Sequence, residues 1–252
     1  MKCKILIFLV LGWVCITCNA QNNVLEIPTS PKGKKELILK RSNYTVSFNK
    51  EINLPNWVAW RLDKNKLIES VSRKGYSFTP DPTLNAKDAV ITQDYTRSGY
   101  DRGHMCPAGD SRWSPNAMKE SFYMTNICPQ NPNLNGGDWH ELEQACRKWA
   151  VQGPIYIVCG PVLYNGTPKY IGNEHRIRVP EAFFKVILAG LEDGTPRAIG
   201  FIYKNSEGNQ TLDKYVNTID QVERITGYDF FPLLPDNIEN KVEKEYDLSD
   251  WR

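Results

Sequence analysis

From Tyr44 onward the apolar residues come mostly in short runs with the alternation, or the unbroken hydrophobicity, of strands. YTVSFN and, after Pro55, WVAWRL are short and rich in aromatic and β-branched residues. IYIVCG, residues 155–160, is apolar throughout and predicts a buried central strand. FFKVILA from Phe183 and RAIGFIY from Arg197 flank LEDGTP, whose Asp193-Gly194 pair marks a tight turn, so the two runs predict a hairpin. A helical period appears in NLNGGDWHELEQACRKWA, where Trp139, Leu142, Cys146 and Trp149 share one face; this predicts an amphipathic helix packed on the sheet. Thr218 with Gln221 forms a capping box ahead of IDQVERIT and Gly227 stops it, which predicts a second helix. The final NKVEKEYDLSDWR is too charged for a core segment, and docking of Trp251 stays open. The mixture predicts an α+β fold, a central and mainly antiparallel sheet flanked by helices. Residues 70–140, long and polar, are where function is expected.

The N-terminus breaks this pattern. MKCKILIFLVLGWVCITCNA has two lysines, an apolar run and a small-residue site at Ala20, the layout of a secretory signal peptide spanning residues 1–20. The run from Ile5 to Cys18 is shorter than the roughly 20 residues a bilayer span needs, and no later segment is apolar enough, so no membrane anchor is expected. Residues 21–40, with Pro28, Pro31 and KGKK, read as a polar leader, and residues 41–252 as a single domain. The implied location is extracytoplasmic, secreted or periplasmic.

Export changes the charge and cysteine arithmetic. The whole chain has 31 basic and 29 acidic residues; losing Lys2 and Lys4 leaves 29 of each, so any nucleic-acid-binding surface must be local. Of seven cysteines, Cys106, Cys128, Cys146 and Cys159 remain, an even number that in an exported chain favours disulfides. Buried free thiols are the alternative, since a chain this long can build a core without bridges.

Three histidines can be taken in turn. His140 opens HELEQ, but Gln144 stands where a zinc-protease motif needs its second histidine, and surface or packing roles suit both His140 and His175. His104 lies in DRGHMCPAGD with Asp101 and Arg102 just before it. An imidazole can take a proton from water while a guanidinium holds a phosphate oxygen, yet a charged turn would look the same. Downstream stand Asn126, Asn135 and Glu143. In a helix beginning near Asn135, eight residues turn about 800°, leaving Asn135 and Glu143 about 80° apart on one side. An amide and a carboxylate are hard oxygen ligands suited to Mg²⁺; equally, Asn135 could cap the helix and Glu143 pair with Arg147. A cysteine hydrolase using Cys106 or Cys128 with His104 is disfavoured, because two residues along a loop is poor geometry for a thiol-imidazole pair.

Taken together, PNWVAWRL, the Arg73…Phe78…Asp81 spacing, DYTRSGYDRGH, FYMTNICPQ, LNGGDWHELE, IYIVCGP and VPEAFFKV resemble the DNA/RNA non-specific endonucleases, the endonuclease G-like ββα-metal (His-Me finger) nucleases with a DRGH motif. The resemblance runs from about Tyr44 to Pro235. It implies that His104 is a general base, that Asn135 is the direct protein ligand of Mg²⁺ or Mn²⁺, and that Glu143 holds metal-bound water. It also implies that Arg73 and Arg102 steady the phosphate and that Asn126 supports the site; for an uncharged chain, a local patch of Arg73, Arg97, Arg102 and Arg112 is the expected nucleic-acid-binding surface. Asp101 and Gly103 are then expected to hold the loop. The implied activity is sequence-indifferent hydrolysis of DNA and RNA leaving 5′-phosphates; a catalytically silent nucleic-acid-binding domain is the alternative on the same fold. Cys106 and Cys128 interrupt the two site segments, which suggests the pairings Cys106 with Cys128 and Cys146 with Cys159. Relatives of this kind form homodimers or bind inhibitor proteins, so both are open as partners.

Overall fold

The computed structural model describes residues 24–206 and 208–251; the expected signal peptide lies outside the described residues. In chain order the elements are β1 (Leu37–Lys40), β2 (Thr45–Asn49), β3 (Leu54–Leu62), β4 (Asp101–His104), α1 (Pro115–Ser121), β5 (Ile127–Gln130), α2 (Pro132–Gly136) and α3 (Asp138–Gln152). There follow β6 (Ile155–Val162), β7 (Tyr170–Ile171), β8 (Ile177–Arg178), β9 (Ala182–Ala189), β10 (Arg197–Lys204), β11 (Val216–Asn217), α4 (Ile219–Thr226) and α5 (Asp236–Val242).

Seven strands form one antiparallel sheet in the order β1-β2-β3-β6-β9-β10-β11. The apolar runs explain its middle, because both faces are covered. Along β9, Phe183, Ile187 and Ala189 enter one core, while Phe184, Val186 and Leu188 enter the other. The β9–β10 hairpin turns at Gly194, whose φ of 76° lies in the left-handed region that glycine adopts freely. One face carries α3, whose Trp139, Leu142, Cys146 and Trp149 are buried. Trp139 packs on Phe183 and Tyr203. Lys185 is buried on this face too, its Nζ 4.2 Å from the Trp139 ring centroid. The other face carries α4, with its Thr218–Gln221 capping box and Gly227 in the left-handed C-cap, together with α5 and the Phe230–Phe231 segment.

At the termini one reading changes and one open point is resolved. The stretch expected as a leader contributes the edge strand β1, and Thr29 bridges to Asp229. At the other end Trp251 is buried against Trp149, ring centroids 4.9 Å apart, and its carbonyl accepts the Trp149 indole N–H. Charge patterning around a lone tryptophan hides such a dock, because one aromatic anchor suffices.

The expected disulfides are corrected. Cys106, Cys128, Cys146 and Cys159 are all free and buried, so neither the Cys106–Cys128 nor the Cys146–Cys159 bridge exists. Each thiol serves as a small core group: Asn43 Nδ2 donates to Cys106 Sγ at 3.5 Å and Cys159 donates to the Met105 carbonyl at 3.4 Å. Burial pushes the Cys146 and Cys159 thiols up to about 12, so they stay protonated and unreactive. We expect these four thiols to resist a thiol reagent in the native protein, to react on unfolding, and to leave the melting temperature independent of reductant. A melting temperature that drops with dithiothreitol would show bridges.

Candidate active site

DRGH is the strand β4, paired antiparallel with β5 so that Asp101 faces Gln130 and His104 faces Ile127. The period of two sends Arg102 and His104 to the same side, and both line an open cleft of about 720 Å³. Gly103 between them is fixed by close approach: a Cβ there would stand 2.2 Å from Gln130 Oε1 and 2.6 Å from Gln130 Cβ. Gly103→Ala should therefore cost about 1–3 kcal/mol of stability through overpacking, read as a lower midpoint in denaturant unfolding. An unchanged midpoint would mean that the Gln130 side chain moves aside freely.

The His104 ring sits against Phe78 and Phe122, each with its centroid 5.1 Å away. Burial in this aromatic bracket pushes its pKa down to about 4; Glu143 opposes the shift and Arg73 adds to it. His104 is therefore a neutral imidazole at pH 7, able to accept a proton, and its Nε2 makes no hydrogen bond among the described residues. Asn126 stands behind it. Its Oδ1 accepts Cys106 N–H at 2.9 Å, its Nδ2 donates to the Cys106 and Ser121 carbonyls at 2.8 Å, and its carbonyl accepts Met105 N–H at 2.9 Å. Fully buried and absent from the cleft lining, Asn126 braces the chain leaving His104 and does not face a substrate.

The helix expected from Asn135 to Glu143 is two helices. Gly137, at φ −109° and ψ −112°, breaks the run, and a Cβ at that position would meet the Asn133 carbonyl at 2.5 Å. Asn135 belongs to α2, which Asn131 caps and Pro132 opens, so it is not the cap of α3. Its Nδ2 donates to Asp101 Oδ2 at 2.9 Å, which fixes the amide and leaves Oδ1 as the available acceptor. Asn135 and Glu143 still line one cleft. Nor does Glu143 pair with Arg147. Arg147 Nη1 binds Asp110 Oδ1 at 3.0 Å, and Asp110 Oδ2 accepts the Trp60 indole N–H at 3.0 Å. Glu143 Oε2 instead lies 3.6 Å from His140 Nδ1, and this contact raises the His140 pKa.

Among the described residues four guanidinium groups line the cleft: Arg73, Arg102, Arg112 and Arg147. Arg73 lies over Phe122 and Arg102 over Phe78 and Tyr95, with Arg102 Nη2 donating to the Thr92 carbonyl at 2.7 Å. Arg112 is partly neutralised by its ion pair with Glu69. Arg97 does not line the cleft; it sits on an exposed turn at φ 58°. His140 and Arg147 were missed as cleft residues. Their signal was their spacing: one turn before and after Glu143 on α3. His175, in contrast, does not line the cleft and is a structural residue, bound through Nδ1 to Asp94 Oδ2 at 2.8 Å.

Residues 21–237 match the family model described as DNA/RNA non-specific endonuclease, most of the chain. The chain belongs to this family. Among similar proteins, the mitochondrial nuclease EXOG of Mus musculus is 34% identical over 210 residues, 77% of this chain and 56% of its own length. A nuclease of Nostoc sp. is 33% identical over 221 residues, 83% of this chain and 78% of that one. The chain thus spans little more than half the length of the EXOG relative. In solved structures the fold is similar to that of the EndoG/EndoGI complex, a structure described as showing the mechanism of EndoG inhibition; the TM-score is 0.74 at 25% identity, covering 80% of this chain and 88% of that one. The antiparallel pair β4–β5 followed by α2 and α3 is the ββα unit that carries the family's DRGH motif here.

Proposed function

We propose that the protein is a metal-dependent endonuclease hydrolysing phosphodiester bonds of DNA and RNA without reading sequence, with His104 as general base. The observation that carries this reading is a neutral imidazole sharing one cleft with an amide oxygen held in place by a carboxylate. The donor set fits a divalent cation of the Mg²⁺ or Mn²⁺ type: Asn135 Oδ1 and the Glu143 carboxylate are hard oxygens, and among the described residues no thiol lines the cleft. Asn135 would hold the metal directly and Glu143 would hold its water shell. When bound, such an ion supplies a Lewis acid for the phosphate and for the departing oxygen.

The chain's own residues do the rest. His104 takes a proton from a water molecule, whose oxygen attacks phosphorus in line as the bond to the 3′ oxygen breaks, leaving a 5′-phosphate. Arg73 and Arg102 hold the non-bridging oxygens as their charge grows, while the neighbouring Arg112 and Arg147 are already paired with Glu69 and Asp110. Contacts to phosphate and not to base edges give activity on both sugars with little sequence preference. Asp101 acts at one remove by orienting Asn135, so Asp101→Ala should raise the Mg²⁺ concentration for half-maximal cleavage by about 10–100-fold, with kcat at saturating metal largely kept. An unchanged metal requirement would remove Asp101 from that role.

Export rests on residues 1–20 and is proposed on sequence grounds; the mitochondrial designation of EXOG belongs to that protein. Among the described residues no helix is long and apolar enough to cross a membrane. An inhibitor protein is a proposed partner because the solved EndoG relative has one, and a homodimer is the other partner proposed. Incubating the purified protein with supercoiled plasmid and with RNA, in Mg²⁺ or in EDTA, tests the activity. Cutting of both in Mg²⁺ alone is expected, whereas retention without cutting would identify a silent binding domain.

A further inference from the structure

Joined to the cleft residue Arg102 through the Thr92–Tyr95 turn is a small flap made of β7, β8 and their turn, which the proposed chemistry does not use. Its footing is the 3₁₀ turn Thr92–Tyr95. On one side that turn holds the catalytic machinery: the Thr92 carbonyl accepts Arg102 Nη2, and the Tyr95 ring lies under the same guanidinium. On the other side it holds the flap. Asp94 Oδ1 accepts the backbone N–H groups of Asn173, Glu174 and His175 at 2.9–3.2 Å, and Asp94 Oδ2 binds His175 Nδ1. This carboxylate is almost fully buried, so the flap tip is pinned to the element that positions Arg102.

The surface of this flap is basic and aromatic. Lys169 donates to Tyr100 Oη at 2.9 Å and lies over the same ring at 4.8 Å, and Tyr100 directly precedes Asp101, the residue that orients Asn135. Arg176 lies over Tyr170 at 4.3 Å, and Arg97 stands exposed on the neighbouring turn. Among the described residues Arg97, Lys169 and Arg176 form no ion pair, unlike Arg178, which Glu181 neutralises. Glu174 is the only opposing exposed carboxylate on the turn between β7 and β8.

We infer that this flap is a second nucleic-acid contact, binding the phosphates of a single strand as it leaves the cleft past Tyr100. The inference rests on the proposed nuclease reading and deepens it: the preferred substrate is a polynucleotide long enough to reach from Asn135 to the flap. A rigid mount shared with Arg102 keeps the two contacts in register. Cations already laid over tyrosine rings lose little side-chain freedom when they meet a phosphate. Because the groups offered are charges, this contact adds affinity without sequence preference.

The test is binding of a fluorescent single-stranded DNA of about 20 nucleotides, longer than a typical one-domain site, followed by anisotropy across a salt series in EDTA. Arg97→Gln/Lys169→Gln/Arg176→Gln is expected to weaken binding about tenfold or more and to flatten the dependence of log K on log salt by roughly two, given about 0.7 for each single-strand phosphate contact. Arg97→Gln alone, on an exposed turn, leaves the fold intact and should flatten the slope by about 0.7. Unchanged affinity and slope in both variants would overturn the flap contact. Cleavage of plasmid by the wild-type protein in Mg²⁺ is scored separately: its failure would sink the nuclease reading, while the EDTA binding series still reports on the flap.

Discussion

Replacing His104 with alanine is expected to lower kcat/KM on a phosphodiester substrate by about 10²–10⁴-fold, the usual worth of a positioned general base. The fold should survive, since the aromatic partners of the ring are Phe78 and Phe122, its Nε2 makes no hydrogen bond among the described residues, and Asn126 holds the backbone behind it. The wild-type pH profile gives an independent reading. With its pKa near 4, His104 stays neutral and competent well below its ordinary 6.5, so the acid limb of kcat/KM should lie near 4 and not near 6.5. The sign for stability follows from the same shift. An unfolded imidazole takes its proton first, so the contribution of neutral His104 is complete above pH 6.5 and is lost as pH falls toward 4. An acid limb at 6.5 that vanishes in His104→Ala would show an exposed imidazole and contradict the aromatic bracket.

Asn135→Ala is expected to have the second large effect. Loss of the proposed metal ligand would remove several kcal/mol of Lewis-acid stabilisation, about 10²–10³-fold in rate. Its signature is non-additivity: EDTA should abolish the wild-type rate yet take little more from the variant, because both remove the same group. A double loss, in which EDTA cuts Asn135→Ala as deeply as it cuts the wild type, would place the metal on other residues.

The sheet was legible because its central strands are buried on both faces, and β6 accordingly reads as an unbroken apolar run and β9 as one interrupted by Lys185 alone. Helix α4 was equally plain, because a capping box and a stop glycine bound it. Less visible was what depends on one residue's backbone. Gly137 looks like any helix-interior glycine in LNGGDWHELE, yet it splits the run and places Asn135 on a separate short helix. The partners of charged groups were the least legible, since they come from distant segments. Arg147 has Glu143 four residues before it but binds Asp110, 37 residues away, and Asp101 meets Asn135 across 34 residues. Cysteine parity misled for a different reason: four thiols packed in a core of this size need no bridges.

The water-attack reading is tested most directly by cleaving a defined DNA oligonucleotide with the wild-type protein in H₂¹⁸O and Mg²⁺ under single-turnover conditions, with mass analysis of the new ends. One ¹⁸O on the new 5′-phosphate and an unlabelled 3′-hydroxyl are expected, since water attacks phosphorus and the 3′ oxygen leaves. A new 3′-phosphate, or a 5′-phosphate without ¹⁸O, would contradict in-line attack by a water that His104 has deprotonated.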